Sequence, residues 1–450
     1  MSVSYARRLG LFSGTMMVVG GIIGAGIFLN PAIVAQRVGT PGLTLSVWVL
    51  GGAVALIGAF CFGELGDRLP KAGGGYVYLR DAFGPLPAFL YAWALLLVIA
   101  TGAIAAVAVT FANYAIALTG APERLAVPVA IGAIVLLSAV NYLGVKPGAV
   151  TQNVFTVLKL VAIAGLVATG LAFAGAGPAE PMAALEPPHG FLAIGIAVAS
   201  ALSPVLFAYG GWQQTNYIAE EIIDVRRNLP RALVLGVVIV VVSYLLVNVT
   251  YLKALSAPGL AASNAPAADA MGTLFGVTGA RLISAGIAIS TFGFLNLVIL
   301  VTPRVYQTMA SDGLFFPGIA RLHPKHRTPT AAITFQAAWA ILLTVSGTYG
   351  ALLDYVVFGD WIFFGLTAAT LFVYRRRDRA SGADPAPAGR FRVPGYPVTP
   401  VLFVLAAGYV VAGSIGTNPS NAARGAALLA LGVPVFYFWR KRSQKASRTA

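Results

Sequence analysis

Two glycine-rich stretches interrupt long apolar runs of this sequence, at residues 20–28 and 207–212. Runs of about 20 apolar residues are typical of membrane-spanning helices. Glycine destabilises a helix interior by about 1 kcal/mol relative to alanine, and unpaired backbone at membrane depth is tolerated only where it is buried in protein or lines a cavity. The two stretches therefore predict a pair of broken helices beside an internal cavity.

Composition places the whole chain in a membrane. It is 58% hydrophobic and only 10% charged, whereas soluble proteins carry about 25% charged residues. We expect an all-α polytopic membrane protein that forms one transmembrane domain over residues 1–450. The apolar runs predict twelve spans, at about residues 11–36, 42–67, 83–118, 125–144, 152–174, 191–220, 231–254, 279–310, 330–347, 350–374, 398–415 and 423–440.

The basic residues predict the orientation of these spans. With the N-terminus inside, 24 of the 30 lysines and arginines fall in cytoplasmic segments and five in outer segments. This bias places both termini in the cytoplasm by the positive-inside rule. The net charge of +15 then faces anionic lipid of the inner leaflet. We therefore expect a multi-pass protein of the cell (inner) membrane, with membrane lipid and not nucleic acid as its partner.

The positions of the two breaks predict an internal repeat. They fall in spans 1 and 6, which start on opposite sides of the membrane and are five spans apart. Two inverted five-helix repeats, over residues 11–174 and 191–374, would bring both breaks to the membrane centre. Residues 375–397 are then predicted to be a cytoplasmic loop, and residues 398–440 to hold two additional helices.

Residue chemistry argues against an enzyme. The only cysteine, Cys61, lies in an apolar run, and the three histidines have no ligand cluster around them. No phosphate-binding loop or nucleophile elbow is present in the sequence. We expect no catalytic residues, no cofactor, no metal and no disulfide-linked subunit.

Five motifs resemble those of the amino acid–polyamine–organocation superfamily, specifically the bacterial relatives of the L-type amino acid transporters. The match extends over about residues 10–440. The resemblance implies a LeuT-type inverted-repeat fold and movement of free amino acids by alternating access. The motifs are Gly24-Ala25-Gly26-Ile27-Phe28 with Pro31; Glu64-Leu65 through Pro70 to Gly73-Gly74-Gly75-Tyr76; Phe207-Ala208-Tyr209-Gly210-Gly211-Trp212 with Glu220-Glu221; Arg304-Val305-Tyr306 before Ser311-Asp312-Gly313; and Phe391-Arg392-Val393-Pro394-Gly395-Tyr396-Pro397.

A free amino acid is a zwitterion, and broken helices can bind both of its charges. The helix that resumes after Gly26 presents unpaired N–H groups to a carboxylate, and the helix that ends near Phe207 presents unpaired carbonyls to an ammonium. The alternative is that these glycines only pack helices, since Gly20 and Gly24 form a small-xxx-small pair. The predicted substrate-binding residues are Ile23, Gly24, Ala25, Gly26, Ile27, Phe207, Ala208, Tyr209, Gly210 and Gln213.

The resemblance assigns roles to several side chains. Phe207 matches the aromatic residue that closes over bound substrate, and Gly210 matches a position that limits substrate size. Gln213 stands where relatives often carry asparagine. Ala100 and Ile104 replace larger or more polar residues in span 3, which favours medium to large apolar substrate side chains.

Charged residues within the spans supply the coupling and gating candidates. Lys159 matches a lysine that the family places beside the broken part of span 1, where sodium-coupled relatives bind sodium, so we expect sodium-independent transport. The alternative is a lysine that extends to the cytoplasmic interface. Asp360 could be a proton relay, a hydrogen-bond anchor or part of a gate. Glu64 is expected to be a structural or gating carboxylate, and Glu221 to belong to a solvated cytoplasmic charge cluster.

The predicted function is transport of neutral L-amino acids, by exchange or by proton coupling. Transport of cationic amino acids or polyamines is the nearest alternative; it would require acidic side chains in the pocket, where only Asp360 is a candidate. A non-transporting amino acid sensor is a remote alternative, since no segment resembles a signalling domain.

Overall fold

A computed structural model describes the backbone of residues 3–172, 188–347, 349–382 and 389–449. Side chains are described for these residues except 274, 349–358 and 446–449. The secondary structure of the described residues is helical apart from one isolated bridge between Leu9 and Ile222. A helix pairs its backbone polar groups internally, which is what a bilayer requires of a chain that crosses it.

Sixteen α-helices follow one another in the described residues, with a π-helical turn and several 3-10 segments between them. The helices are α1 (Leu11–Ile22), α2 (Gly26–Val38), α3 (Pro41–Arg68), α4 (Gly75–Phe83), α5 (Pro85–Ala94), α6 (Ala100–Thr119), α7 (Ala126–Tyr142), α8 (Val145–Ala172), α9 (Phe191–Ala208), α10 (Val225–Ala262), α11 (Pro266–Val301), α12 (Pro303–Ser311), α13 (Thr330–Ser346), α14 (Tyr349–Ala380), α15 (Val398–Thr417) and α16 (Pro419–Thr449). The π-helical turn is Leu95–Ile99, and the 3-10 segments are Glu123–Leu125, Trp212–Glu221 and Pro317–Ala320.

The lengths and compositions of these helices fit a polytopic membrane protein. Within the described ranges, nine helical segments are long and apolar enough to cross a membrane, and counting α1 and α2 as one bent span gives ten. Of the other predicted spans, α13 is apolar but has 17 residues, and α14 begins in a stretch whose side chains are not described.

Both predicted interruptions are present in the backbone. The first lies between α1 and α2, whose axes differ by 46°. The second follows α9: Gly211 has φ +106°, and the chain continues as the 3-10 helix Trp212–Glu221. A φ in this region favours glycine, because other residues would place Cβ against their own backbone.

Several helix boundaries differ from the predictions. The predicted loop at residues 375–397 begins as helix, because α14 continues to Ala380. Residues 383–388 lie outside the described part of the chain. Residues 389–397 contain turns and no helix, as predicted. The predicted span at residues 279–310 is interrupted at Thr302, between α11 and α12. The span predicted at residues 231–254 is the longer α10, which contains a non-helical residue at Ser256.

Candidate binding site

The break in the first span is held by a buried lysine. Lys159 on α8 is 1% exposed, and its Nζ donates hydrogen bonds to the carbonyl oxygens of Gly20 at 3.1 Å and Ile23 at 2.8 Å. Ser290 Oγ donates a further bond to the Ile23 carbonyl at 3.2 Å. A cation is favoured at a helix C-terminus, so the ammonium stabilises the end of α1. Lys159 therefore lies beside the break.

The two breaks are packed directly on each other. A Cβ on Gly211 would lie 2.1 Å from the carbonyl oxygen of Gly21, and a Cβ on Gly26 would lie 3.0 Å from the Cβ of Ala208. Contacts this close are available only to glycine. These glycines therefore have a packing role, as the alternative interpretation holds, and that packing joins the two broken helices.

Tyr244 on α10 connects the two broken helices at their C-terminal ends. Its hydroxyl lies 3.1 Å from the carbonyl oxygen of Ile22 and 3.3 Å from that of Ala208. The ring is fully buried and has an edge-on contact with Trp48 at 5.6 Å between centroids. The sequence analysis did not identify Tyr244, because a single tyrosine in an apolar span carries no local signal of its partners.

A cavity of about 300 Å³ opens between the breaks and the helices around them. Its walls come from α1, α2, α9, the segment after α9, the π-helical turn, α6, α11 and α14. The lining residues are Gly21, Ile22, Gly24, Ala25, Gly26, Leu95, Ile99, Ala100, Ala103, Ala106, Val107, Thr110, Leu206, Phe207, Ala208, Gly210, Gly211, Gln213, Gln214, Tyr217, Thr291, Phe294, Val298, Thr302, Asp360, Trp361 and Phe364.

Most of the predicted binding residues meet at this cavity. Those that line it are Gly24, Ala25, Gly26, Phe207, Ala208, Gly210 and Gln213, together with Asp360. Ile23, Ile27 and Tyr209 are not among the lining residues, and each is at most 1% exposed. Ala100 lines the wall, but Ile104 does not. The cavity therefore collects the small residues of both motifs, while larger side chains beside them pack into the protein.

Phe207 and Gln213 differ in solvent exposure and in hydrogen bonding. Phe207 is 49% exposed, as an aromatic residue at a cavity mouth would be. Gln213 is buried, and its Oε1 accepts a hydrogen bond from the backbone N–H of Gly211 at 3.0 Å. Gln213 therefore fixes the second break, and its carboxamide oxygen is already engaged.

The other end of the 3-10 helix carries a buried ion pair. Arg304 Nε lies 2.8 Å from Glu221 Oε1, and both side chains are fully buried. The backbone N–H groups of Arg8 and Leu9 also bond to the Glu221 carbonyl, at 2.9 and 3.0 Å. The prediction of a solvated cluster was therefore wrong for Glu221, although Arg226 and Arg227 are exposed.

Glu64 belongs to a second ionic network, at the end of α3. Its carboxylate accepts hydrogen bonds from Arg68 and Arg375, both at 2.8 Å, and from the backbone N–H of Val393 at 2.8 Å. Arg68 also pairs with Asp378 at 2.7 Å, and this charge-assisted bond lowers the pKa of that carboxyl. The network attaches the end of α14 and residues 389–397 to α3.

Known proteins are similar to this chain over nearly its whole length. The model of a family described as amino acid permease matches residues 9–436. The human large neutral amino acids transporter small subunit 2 is 32% identical over 461 aligned positions, which cover 98% of this chain and 82% of that protein. The human b(0,+)-type amino acid transporter 1 is 33% identical, covering 97% and 88%. The human Asc-type amino acid transporter 1 is 31% identical, covering 99% and 85%.

Proposed function

Since the chain belongs to the amino acid permease family, it is a transporter and not an enzyme, and we propose that it moves neutral L-amino acids by alternating access. The substrate would be the free amino acid, carried across the cytoplasmic membrane as an exchanger or as a proton-coupled carrier. The cavity between the two helix breaks is the observation that carries this proposal. The relatives of this chain, which are named as amino acid transporters, support the same substrate class.

The helix ends in the cavity offer one partner for each charge of a zwitterion. The N–H groups of Gly26 and Ile27 at the start of α2 have no acceptor within their own helix, whereas that of Phe28 bonds to the Ala25 carbonyl at 3.1 Å. The positive end of the helix dipole favours a carboxylate. The last carbonyls of α9 would accept hydrogen bonds from the ammonium. Tyr244 occupies only part of this capacity, because a carbonyl oxygen has two lone pairs.

Sodium independence follows from the position of Lys159. Its ammonium occupies the carbonyls at the end of α1, which would otherwise be available to a cation. A second cation at the same oxygens would be repelled over a few ångströms in a medium of low dielectric constant. We therefore propose that transport rates are the same in sodium and in choline buffers.

The order of the elements supports two inverted repeats over residues 11–174 and 191–374. Each half begins with a broken helix, α1–α2 or α9 with Trp212–Glu221, followed by one long helix, α3 or α10. Each then has a short helical segment before the next long helix: α4 in the first half, and in the second the stretch between the non-helical residues Ser256 and Gly276. The helices α15 and α16 would be additions to this ten-helix unit, with both termini in the cytoplasm.

The charge of the cavity favours neutral substrates over cationic ones. Among the described residues that line the cavity, Asp360 is the only acidic one, so a cationic side chain would find a single counter-charge there. We also propose that no partner subunit is linked to this chain by a disulfide, because Cys61 is buried in α3 and cannot reach a cysteine of another chain.

Counter-flow in proteoliposomes tests the proposal. Vesicles loaded with an unlabelled neutral amino acid should accumulate the labelled one, at equal rates with and without sodium. Parallel vesicles with an imposed pH gradient and no internal substrate separate exchange from proton coupling. Accumulation of lysine or a polyamine, with none of any neutral amino acid, would instead establish the cationic alternative.

A further inference from the structure

Three residues that line the cavity, Gln214, Tyr217 and Asp360, carry polar side chains, and we call them the polar floor. Gln214 and Tyr217 lie on the 3-10 helix after the second break, three residues apart, and residues at this spacing share one face of a 3-10 helix. Asp360 reaches the same cavity from α14, and the ring of Phe363 on that helix lies 5.2 Å from the ring of Tyr91, which is hydrogen-bonded to the Tyr217 hydroxyl. The three side chains therefore form one surface.

The polar floor has unused hydrogen-bonding capacity. The Gln214 Oε1 atom is buried and has no hydrogen-bond partner in the described part of the structure. Asp360 forms no ion pair with any described residue, whereas the Tyr217 hydroxyl is engaged with that of Tyr91 at 2.5 Å. An unpaired buried acceptor is unfavourable, so a donor that reaches the Gln214 oxygen is stabilised there.

Among the described residues, the rest of the cavity wall is largely apolar, apart from Gln213, whose Oε1 is bonded to the Gly211 N–H. The π-helical turn and α6 contribute Leu95, Ile99, Ala100, Ala103, Ala106 and Val107 to it. The lining threonines use their hydroxyl protons within their own helices: Thr110 donates to Ala106, Thr291 to Ile287, and Thr302 to Val298. Unpaired side-chain acceptors on the described wall are therefore concentrated at the floor.

The floor lies within reach of a substrate side chain. The N–H of Gln214 bonds to the carbonyl of Gly211 at 3.3 Å, which is one 3-10 turn. At a rise of about 2.0 Å per residue, Gln214 lies about 6 Å beyond the second break. A zwitterion bound at the breaks would bring the end of an asparagine or glutamine side chain to this depth.

We propose that the polar floor selects substrates by the far end of their side chain and prefers hydrogen-bond donors, carboxamides above all, to apolar groups of the same shape. This inference rests on the proposed transport of neutral amino acids and narrows its substrate class. A substrate carboxamide donates to Gln214 and Asp360 and accepts from the Gln214 amide. An apolar isostere leaves these groups unpaired, which is how a polar site rejects an analogue that lacks the matching group.

Competition in counter-flow tests the proposal with two nearly isosteric pairs, asparagine against leucine and glutamine against methionine. We expect each carboxamide to compete at a concentration at least about tenfold lower than its apolar partner, a modest value for a hydrogen-bonding site. Gln214→Met and Asp360→Asn should each reduce this ratio towards one. Thr119→Val, which alters an exposed residue of α6 away from the cavity, should leave the ratio as it is in the wild type.

The outcomes separate the two proposals. Leucine and methionine competing as well as the carboxamides would overturn the inference while leaving neutral amino acid transport intact. Lysine or arginine competing best would also overturn it, because the floor would then select charge. An unchanged ratio in both floor variants would remove these residues from selection. Absence of counter-flow with every neutral amino acid would instead refute the proposed function itself. If either variant fails to fold, the competition of carboxamide and apolar substrates in the wild-type protein still tests the proposal.

Discussion

Replacing Gly24 by alanine tests whether the main chain of the substrate approaches the first break. Gly24 lines the cavity, and the nearest atom to an added Cβ is a ring carbon of Phe294 at 4.0 Å. The protein therefore accommodates the new methyl group at ordinary van der Waals distance. A substrate carboxylate bound to the N–H groups that follow Gly24 would not be accommodated, because the methyl group would occupy its path of approach.

The expected loss follows from the hydrogen bonds that the carboxylate would make. A hydrogen bond to a charged group contributes about 1.5–3 kcal/mol, so loss of one such bond weakens binding by roughly 10- to 150-fold. A displacement of the reacting or bound group by about 1 Å can cost a similar factor. Stability of the empty protein should be unchanged, because Gly24 lies in the non-helical break, has no positive φ and leaves room for the methyl group.

The assay compares Gly24→Ala with Gly165→Ala, measuring amino acid binding by thermal stabilisation and transport by counter-flow. Gly165 lies on α8, and an added Cβ there has no atom within 4 Å. We expect the Gly24 variant to lose at least tenfold in apparent affinity, and the control to keep the wild-type affinity. Equal affinities in the two variants, at equal unfolding temperatures, would refute the assignment of the carboxylate to this break.

Three further predictions concern the groups around the cavity. Lys159→Met should reduce exchange strongly, because the Gly20 carbonyl loses its donor; wild-type exchange rates would remove the lysine from the mechanism. Tyr244→Phe keeps the ring packing and removes one hydroxyl, so the binding free energy of the amino acid should weaken by about 1–3 kcal/mol while the unfolding temperature of the empty protein stays close to that of the wild type. Glu221→Gln should lower the free energy of unfolding by about 3–5 kcal/mol, because it leaves a buried arginine unpaired; thermal unfolding should show a much smaller effect, below about 1 kcal/mol, for Asp81→Asn, whose ion pair is exposed.

The broken helices could be predicted because their signals are local. Glycines within an apolar run, and a lysine at membrane depth, each carry a cost that only a special backbone environment offsets. The sequence thus indicated both interruptions, and the family resemblance placed Lys159 beside the first. The five-span separation of the breaks added the expectation that the two interruptions meet, and the approach of Gly211 to Gly21 shows how closely they do.

The residues that sequence reasoning missed depend on long-range packing. Tyr244 and Ile22 are 222 positions apart, and Glu221 and Arg304 are 83 positions apart. Nothing within either local segment specifies the partner. Gln214 was passed over for the neighbouring Gln213, although Gln213 is occupied by the Gly211 backbone and Gln214 is the carboxamide with capacity left.

Contiguous motifs also overstate how many residues can face one cavity. Successive residues of a helix differ by about 100° in direction, so five consecutive positions cannot all point to one side. Ile23, Ile27 and Tyr209 belong to the binding motifs but pack into the core. The difference between the loop predicted at residues 375–397 and the observed helix has another cause. Arg375 pairs with Glu64 and Arg377 with Asp81, and these ion pairs stabilise the helical end of α14.

A structure determined with a bound neutral amino acid tests the central claim most directly. We expect its carboxylate to lie within hydrogen-bond distance, about 3.2 Å, of N–H groups at residues 24–28. Its ammonium should lie equally close to carbonyls at residues 206–208. An amino acid bound elsewhere, or one whose two charges are held by side chains while both helix ends stay unoccupied, would contradict the account.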